Sequence, residues 1–203
     1  MILDLTKLDS YVINLDDQPE RLNRVSTVLN SKNINFKRHK GVNIKELNLP
    51  NAKPVDGCAM SHLQLLSSLK TPFIVFEDDV EMTEDWQTVI DVPDNADAVN
   101  LGASTWGYVR PNLRHAYNNV VSVTQHTKAF KKAHNMCSTH GIVYLTDKFR
   151  LSVISSMRQA LETQTPFDLH LAKIQKDFVY LIPNKPFIYQ KDLPQYTNVE
   201  LKV

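Results

Sequence analysis

The sequence has 203 residues but only two cysteines, five glycines and no long apolar run. Cys58 and Cys137 lie far apart, so they indicate neither a disulfide framework nor a thiolate zinc site. No stretch approaches the roughly 20 apolar residues that span a bilayer. Asp4, Lys7 and Asp9 interrupt the region where a signal peptide would be apolar. We therefore expect a soluble protein of a reducing compartment, the cytoplasm, although a missing signal would equally fit a fragment of a longer chain.

An excess of charge of either sign is also absent. The chain carries 23 Lys and Arg residues against 22 Asp and Glu residues, a net charge of +1. Nothing in this balance favours nucleic acid or an anionic membrane as a partner. Hydrophobic content of 42% and charged content of 22% are ordinary for a globular protein. The length is enough for one domain with a sizeable core.

Strand-like and helix-like patterns alternate along the chain. The predicted strands cover residues 10–15, 36–42, 73–76, 98–101, 141–145, 178–182 and 187–189. The predicted helices begin near residues 19, 56, 84, 147 and 166, with Asp56 and Asp147 as caps of two of them. Residues 103–135 show no regular pattern. The alternation predicts a single α/β domain with a mainly parallel, mixed central sheet and helices on both faces.

The segment Phe73–Asp79 carries the most information, because four apolar residues run directly into Glu77, Asp78 and Asp79. Buried strands of α/β sheets end at the crevice where ligands bind. Adjacent carboxylates repel one another unless a cation offsets them, and Mg²⁺ and Mn²⁺ prefer oxygen ligands. Side chains alternate along extended backbone, so Glu77 and Asp79 should face one side and Asp78 the other. The pattern favours a metal–phosphate site over a solvated acidic turn.

Two segments are candidates for binding a nucleotide diphosphate. Ser61 and His62 lie near the start of the second predicted helix, where free backbone N–H groups suit an anion. The alternative is a capped helix in which His62 only packs in the core. Asn14, Leu15 and Arg21 follow the first strand, where a nucleotide commonly binds in such sheets. A charged first helical turn is, however, often only a solvated face.

Asp168 and His170 are candidates for catalysis and metal binding in the second half of the chain. Asp168 could act as a base toward an acceptor hydroxyl, and His170 could complete a metal shell. Thr165 and Asp168 also have capping-box spacing, which would give Asp168 a purely structural role. Positions two apart on a regular helix point about 200° away from each other, so both residues reach one metal only if the helix is distorted.

An acceptor platform is the candidate role of the irregular region. Trp106, Tyr108 and Arg110 lie there together, and exposed aromatic faces suit sugars. The alternative is that Trp106 only anchors a loop. The sequence does not decide between these two roles.

The order of these segments resembles glycosyltransferase family 25, the lipopolysaccharide and collagen galactosyltransferase type. Tyr11–Asp16 followed by Arg21 is similar to the opening of that family. Gly57–Leu63 resembles its Gly-Cys-x-x-Ser-His-Leu segment, and Glu77–Val80 resembles its acidic motif, a variant of the Asp-x-Asp signature of GT-A enzymes. Looser similarity to the downstream blocks extends the resemblance over roughly residues 10–190, through Gly141–Leu145, Asp168 and Gln190.

The resemblance implies a GT-A fold that transfers a sugar from a UDP-linked donor to a glycan or glycoprotein, with Mn²⁺ or Mg²⁺. Residues 1–100 would bind the nucleotide sugar and residues 101–203 the acceptor. Asp79 would bind the metal, Glu77 would face the metal or the donor ribose, and His170 would be a downstream ligand. If the reaction inverts the anomeric carbon, Asp168 is the candidate base, whereas a retaining reaction would need no such base. The residues implied in donor binding are Asn14, Leu15, Arg21, Ser61, His62, Glu77 and Asp78.

Other readings of the same residues stay open. A metal-dependent phosphohydrolase or nucleotidyltransferase would use the same carboxylates without a sugar acceptor, although a Gly-rich phosphate loop is missing. A non-catalytic nucleotide-sugar-binding module would bind without turnover. The compact length also resembles glycosyltransferase domains of large algal viruses that decorate a capsid glycoprotein, which would place the chain in the host cytoplasm.

Overall fold

The computed structural model describes residues 1–47, 52–107, 121–197 and 201. Its strands are β1 (Ile2–Asp4), β2 (Asp9–Asn14), β3 (Phe36–Lys40), β4 (Phe73–Glu77), β5 (Val80–Met82), β6 (Val89–Asp91), β7 (Ala98–Asn100), β8 (Ser122–Gln125), β9 (Phe130–His134), β10 (Gly141–Tyr144), β11 (Tyr180–Pro183) and β12 (Ile188–Gln190). Its α-helices are α1 (Pro19–Asn30), α2 (Pro54–Ser68), α3 (Asp147–Thr163), α4 (Phe167–Ile174) and α5 (Pro194–Thr197). Among the described helices, none is both long and apolar enough to cross a membrane.

A mixed sheet of eight strands forms the centre of the domain, in the order β3-β2-β4-β10-β7-β11-β9-β8. Strand β2 runs parallel to β3 and β4, and β11 runs parallel to β7. The other neighbouring pairs in this sheet are antiparallel. The predicted single-domain α/β fold with a mixed sheet is confirmed. The sheet is only partly parallel and not mainly parallel as predicted, because antiparallel pairs join β4 to β10, β10 to β7, β11 to β9 and β9 to β8.

The apolar run of β4 is buried on both faces, as predicted. Phe73 and Val75 pack in the cluster that α2, α3 and α4 cover. Ile74 and Phe76 point to the opposite face, where they pack with residues of α1, β1 and β6. This division follows from the alternation of side chains along a strand. The prediction of helices on both faces of the sheet is therefore also confirmed.

Three element predictions are wrong. Instead of a helix near residues 84–90, turns lead into β6, whose β-branched Val89 and Ile90 pair antiparallel with β1. Helix α2 begins at Pro54, before the predicted cap Asp56, whose carboxylate instead accepts a 2.7 Å hydrogen bond from the Lys53 backbone N–H inside the first turn. In α3 the cap is Thr146, because its hydroxyl and not the Asp147 carboxylate accepts the bond from the first turn.

Residues 121–135 are more regular than their sequence indicates. Strands β8 and β9 form an antiparallel hairpin at one edge of the main sheet. Charged and polar residues dominate this hairpin, so its sequence does not show the apolar alternation of a strand. Within the described part of the chain, its outer strand β8 pairs only with β9. Tyr108 and Arg110, two members of the predicted acceptor platform, lie outside the described residues.

Sheet register brings the candidate site together. Parallel pairing places Ile13 opposite Glu77, so the ends of β2 and β4 are neighbours. Asp78 and Asp79 form a turn after β4, which we call the acidic turn. It leads into β5, which pairs with β12 in the register Val80 opposite Gln190. On the other side of β4, the Glu77 backbone N–H donates a 3.0 Å bond to the His140 carbonyl, just before β10. Segments far apart in sequence thus meet at one end of the sheet.

We expect Phe149→Ala to destabilise the domain without touching the site. The Phe149 ring is fully buried and lies 5.2 Å from the ring of Phe178 and 5.7 Å from that of Tyr180, measured between centroids. Removing a buried aromatic ring costs about 3–5 kcal/mol in free energy of unfolding. Urea denaturation of the variant measures this loss. Leu151→Ala is the control on the same helix, since Leu151 is 55% exposed and should cost less than about 0.5 kcal/mol. Equal losses for the two variants would contradict this assignment of the core.

Candidate active site

The acidic triplet divides into two groups at the end of β4. The strand stops at Glu77, and Asp78 and Asp79 form the turn to β5. Arg21 on α1 bridges the two aspartates, with Nη1 3.1 Å from Asp78 Oδ1 and Nη2 3.2 Å from Asp79 Oδ2. The predicted alternation, with Glu77 and Asp79 on one side, does not hold because the extended backbone ends at Glu77. The guanidinium offsets two charges that would otherwise repel each other.

Asp79 is buried, and only one of its two carboxylate oxygens has a hydrogen-bond partner among the described residues. Its Oδ2 accepts a 2.8 Å hydrogen bond from Gln190 Nε2 on β12, in addition to the contact with Arg21. Its Oδ1 is buried with no hydrogen-bond partner among the described residues. Burial and the nearby charge of Glu77 raise the pKa of Asp79 to about 6. A divalent cation would satisfy the free oxygen and offset the cost of keeping this group charged.

Asn14 ties the acidic turn to the ends of β2 and β3. Its side-chain amide donates a 2.8 Å hydrogen bond to Asp78 Oδ2, and its amide oxygen accepts one of 3.1 Å from Arg38 Nε. Burial raises the pKa of Asp78, and the bond from Asn14 works against that shift. Asn14 is itself buried. Its observed contacts therefore position the turn, and its contact with a nucleotide stays a prediction.

Glu77 contacts a different set of residues from Asp78 and Asp79, on the side of β4 that faces α2 and β10. Its Oε1 accepts a 2.6 Å hydrogen bond from Thr139 Oγ1 and lies 3.2 Å from His62 Nε2. Burial alone would raise the pKa of Glu77, but these contacts outweigh it and the pKa lies below its usual value. Sequence reasoning missed Thr139, whose only signal is its position just before β10. The Glu77 carboxylate is thus charged and already partnered.

Gly57 and Ser61 dock α2 against the loop that follows β3. Ser61 Oγ accepts a 2.8 Å bond from the Val42 backbone N–H and donates one of 2.6 Å to the Gly57 carbonyl. A Cβ atom on Gly57 would lie 2.6 Å from the Val42 carbonyl oxygen, so only glycine permits this approach. Because the Ser61 hydroxyl makes both of these bonds, its role is to position the loop that follows β3.

A cavity of about 370 Å³ opens beside the end of β2, and we call it the β2 cavity. It collects the start of α1, the loop after β3, the first turns of α2 and the acidic triplet. Every residue predicted to bind the donor lines it, namely Asn14, Leu15, Arg21, Ser61, His62, Glu77 and Asp78, together with Asp79. The structure thus brings this predicted set together around one space.

A second cavity, of about 320 Å³, contains Asp168, and we call it the Asp168 cavity. Its walls are largely apolar and include Trp106 and Phe167, so one member of the predicted acceptor platform lies here. The two cavities meet at Cys58 and Glu77, which line both. Gln190, whose amide bonds to Asp79, also lines the Asp168 cavity.

Asp168 lies in the first turn of α4 and does not form the predicted capping box. The cap residue is Pro166, and the Thr165 hydroxyl lies 2.7 Å from His170 Nε2 instead of bonding to the helix start. Asp168 Oδ1 accepts a 2.9 Å bond from the Leu169 backbone N–H. Burial, followed by the charge of Glu77, raises the pKa of Asp168 to about 6. A carboxyl group with this pKa in a cavity is suited to accept a proton near neutral pH.

The structure does not bring His170 to the acidic turn. Its Nε2 lies between the hydroxyls of Thr165 and Thr163, at 2.7 and 3.3 Å, and the residue lines neither cavity. Helix α4 is regular from Phe167, so Asp168 and His170 point in different directions, as their spacing requires. This geometry does not support His170 as a metal ligand. Gln190, which sequence reasoning left out of the site, takes the place beside Asp79.

Comparisons with known proteins identify the family of the chain. A family profile, glycosyltransferase family 25 (LPS biosynthesis protein), matches residues 7–151. A search of curated proteins finds no match. Similar solved structures include a nucleoside-diphosphate-sugar pyrophosphorylase from Vibrio cholerae, at 12% identity and a TM-score of 0.44 over 92% of this chain and 78% of that one. A CTP:phosphocholine cytidylyltransferase from Streptococcus pneumoniae aligns at 12% identity and a TM-score of 0.43, over 93% and 95%. Because the profile covers well over half of the chain, the protein belongs to glycosyltransferase family 25 and is a glycosyltransferase.

Proposed function

We propose that the protein transfers a sugar from a UDP-linked donor to a hydroxyl group of a glycan or glycoprotein, with Mn²⁺ or Mg²⁺ at Asp79. The observation that carries this proposal is the meeting of two cavities at the acidic turn. One cavity holds carboxylates and an arginine, and the other holds Asp168, a half-buried carboxyl group with a raised pKa. A capsid glycoprotein, as in the algal viral domains, is one acceptor of this class.

The β2 cavity is suited to the nucleotide diphosphate. Arg21 and Lys45 supply positive charge in its wall, and Leu15 and Ile44 supply apolar surface for a base. An arginine guanidinium can bind a phosphate through two parallel hydrogen bonds. Arg21 forms ion pairs with both Asp78 and Asp79, which hold its guanidinium in place. A diphosphate bound beside Arg21 would contact the same guanidinium.

The acidic turn fits a divalent cation. The free Asp79 Oδ1 is a hard oxygen donor inside the cavity wall, and Asp78 contributes a second buried carboxylate. When bound, such an ion stabilises the negative charge that develops on a departing diphosphate. Arg21 and Gln190 orient the Asp79 carboxylate and hold Oδ2, leaving Oδ1 to face a ligand.

The Asp168 cavity is suited to the acceptor. Trp106 and Phe167 offer aromatic faces against which a sugar ring can pack, and Ser138 and Thr139 offer hydroxyl groups nearby. Asp168 would take the proton of the acceptor hydroxyl as its oxygen bonds to the anomeric carbon and UDP departs. This placement favours a single displacement with inversion of the anomeric carbon.

Incubation with a panel of nucleotide sugars, with manganese or with a chelator, tests the activity. We expect free UDP and a transferred sugar only when manganese and an acceptor are both present. Release of pyrophosphate instead of UDP would indicate a nucleotidyltransferase. Binding of the nucleotide sugar with no product would indicate a non-catalytic module.

We expect Asp79→Asn to weaken UDP binding in manganese by about tenfold or more, because the amide removes the charge that holds the ion. Calorimetry with UDP, in manganese and in chelator, measures the change. Asp192→Asn is the matched control, since Asp192 lies 3.8 Å from Arg21 but its side chain is 73% exposed. The affinity of Asp79→Asn in chelator should equal that of the unmodified protein. An unchanged affinity in manganese would contradict the role of Asp79.

We expect Asp168→Asn to lower kcat by about 10²–10⁴-fold with little change in donor affinity, because the base is lost. In the unmodified protein kcat should rise as the pH increases through about 6, since Asp168 must be deprotonated to accept a proton. The residual rate of the variant should not show this rise. Asp177→Asn, an exposed position just after α4, is the control and should keep both kcat and the pH profile. A full rate in Asp168→Asn would refute the assignment of this base.

A further inference from the structure

We propose that Cys58, His62 and Glu77 form a binding site for a zinc-class divalent ion, separate from the oxygen site at Asp79. One ligand atom from each of these three residues lies within 4.8 Å of the other two. Cys58 and His62 are four residues apart on α2, so their side chains lie on the same face of the helix. Glu77 faces them from the end of β4. Two distant cysteines do not by themselves indicate a thiolate metal site. A single cysteine can contribute to one only when the fold brings other ligands beside it.

The spacing of the histidine and the glutamate matches that of two zinc ligands. His62 Nε2 and Glu77 Oε1 are 3.2 Å apart. Nitrogen and oxygen ligands at about 2.0–2.1 Å from a tetrahedral zinc ion lie about 3.3 Å from each other. An ion could therefore bind between these two atoms with little movement of either side chain. Cys58 is a free, partly buried cysteine, and its thiol supplies the third ligand atom, within 4.8 Å of the other two.

The imidazole of His62 has bonding capacity beyond its contact with Glu77. The side chain is 1% exposed, and its Nδ1 has no hydrogen-bond partner among the described residues. The ion site uses the other ring nitrogen, Nε2, which lies 3.2 Å from Glu77 Oε1. Either nitrogen can lack the proton in neutral imidazole, so the ring can bind an ion through one of them.

The donor set selects a different ion from the one proposed at Asp79. Thiolate and imidazole ligands favour Zn²⁺ and similar ions, whereas carboxylate oxygens favour Mg²⁺ and Mn²⁺. Cys58 and Glu77 line both cavities, so the ion would lie in the wall that separates them. If donor and acceptor bind in these cavities as proposed above, zinc should inhibit transfer. That consequence rests on the proposed function, whereas ion binding can be measured without turnover.

Titration of the full chain with Co²⁺, followed by near-ultraviolet absorption, tests the site. A cobalt ion bound by a thiolate gives an intense charge-transfer band, which we expect in the unmodified protein and not in Cys58→Ser. Cys137→Ser is the matched control, because Cys137 also lines the Asp168 cavity but is not part of the cluster. Asp79→Asn should also keep the band, which separates the two ion sites. Absence of the band in the unmodified protein, or its persistence in Cys58→Ser, would overturn the proposal.

Alkylation of the unmodified protein gives a second measurement that needs no variant. Zn²⁺ should slow the reaction of Cys58 with iodoacetamide, as followed by mass spectrometry of the peptides, whereas Mg²⁺ at the same concentration should not. Cys137 provides the internal control, and its slow reaction as a buried thiol should not respond to zinc. Equal rates of Cys58 alkylation with and without zinc would overturn the proposal even if Cys58→Ser fails to fold.

Discussion

Repulsion among three adjacent carboxylates at the end of β4 is the constraint on which the site depends. The fold answers it by dividing the charges between two sets of partners. Arg21 neutralises Asp78 and Asp79 from α1, while Glu77 turns away to His62 at the other side of the strand end. Without this division, the buried carboxyl groups would be protonated near neutral pH and would lose affinity for a cation.

Each partner of the acidic turn comes from a different part of the chain. Helix α1 follows β2. Because β2 pairs in parallel with β4, the start of α1 lies beside the turn. Strand β12 returns near the end of the chain and delivers Gln190 through its pairing with β5. Helix α2 carries Cys58 and His62 to the opposite side. The cavities exist because these elements converge at one end of a mixed sheet, and the acids lie at the boundary between them.

Local sequence patterns predict the order of the long, apolar strands and helices, because the spacing of apolar residues indicates which side chains are buried. The apolar run of β4 predicted a strand buried on both faces, and the positions of Asn14 and Arg21 after β2 predicted their place beside it. Local patterns do not predict short strands whose formation depends on pairing with strands that are distant in sequence. Strand β6 is short and exposed on alternate residues, and it forms only because β1 pairs with it. Hairpin β8–β9 is rich in charged and polar residues, so its local pattern does not indicate strands.

The sequence by itself determined which residue types occur at each strand end and helix start, and hence the family and the set of candidate acids. Only the tertiary structure decided how those acids are used. It separated Glu77 from Asp79, turned His170 away from the site, and placed Asp168 in the wall of a cavity. The reason is physical: spacing along the chain sets which side chains share a face, whereas desolvation and charge pairing depend on neighbours that are distant in sequence.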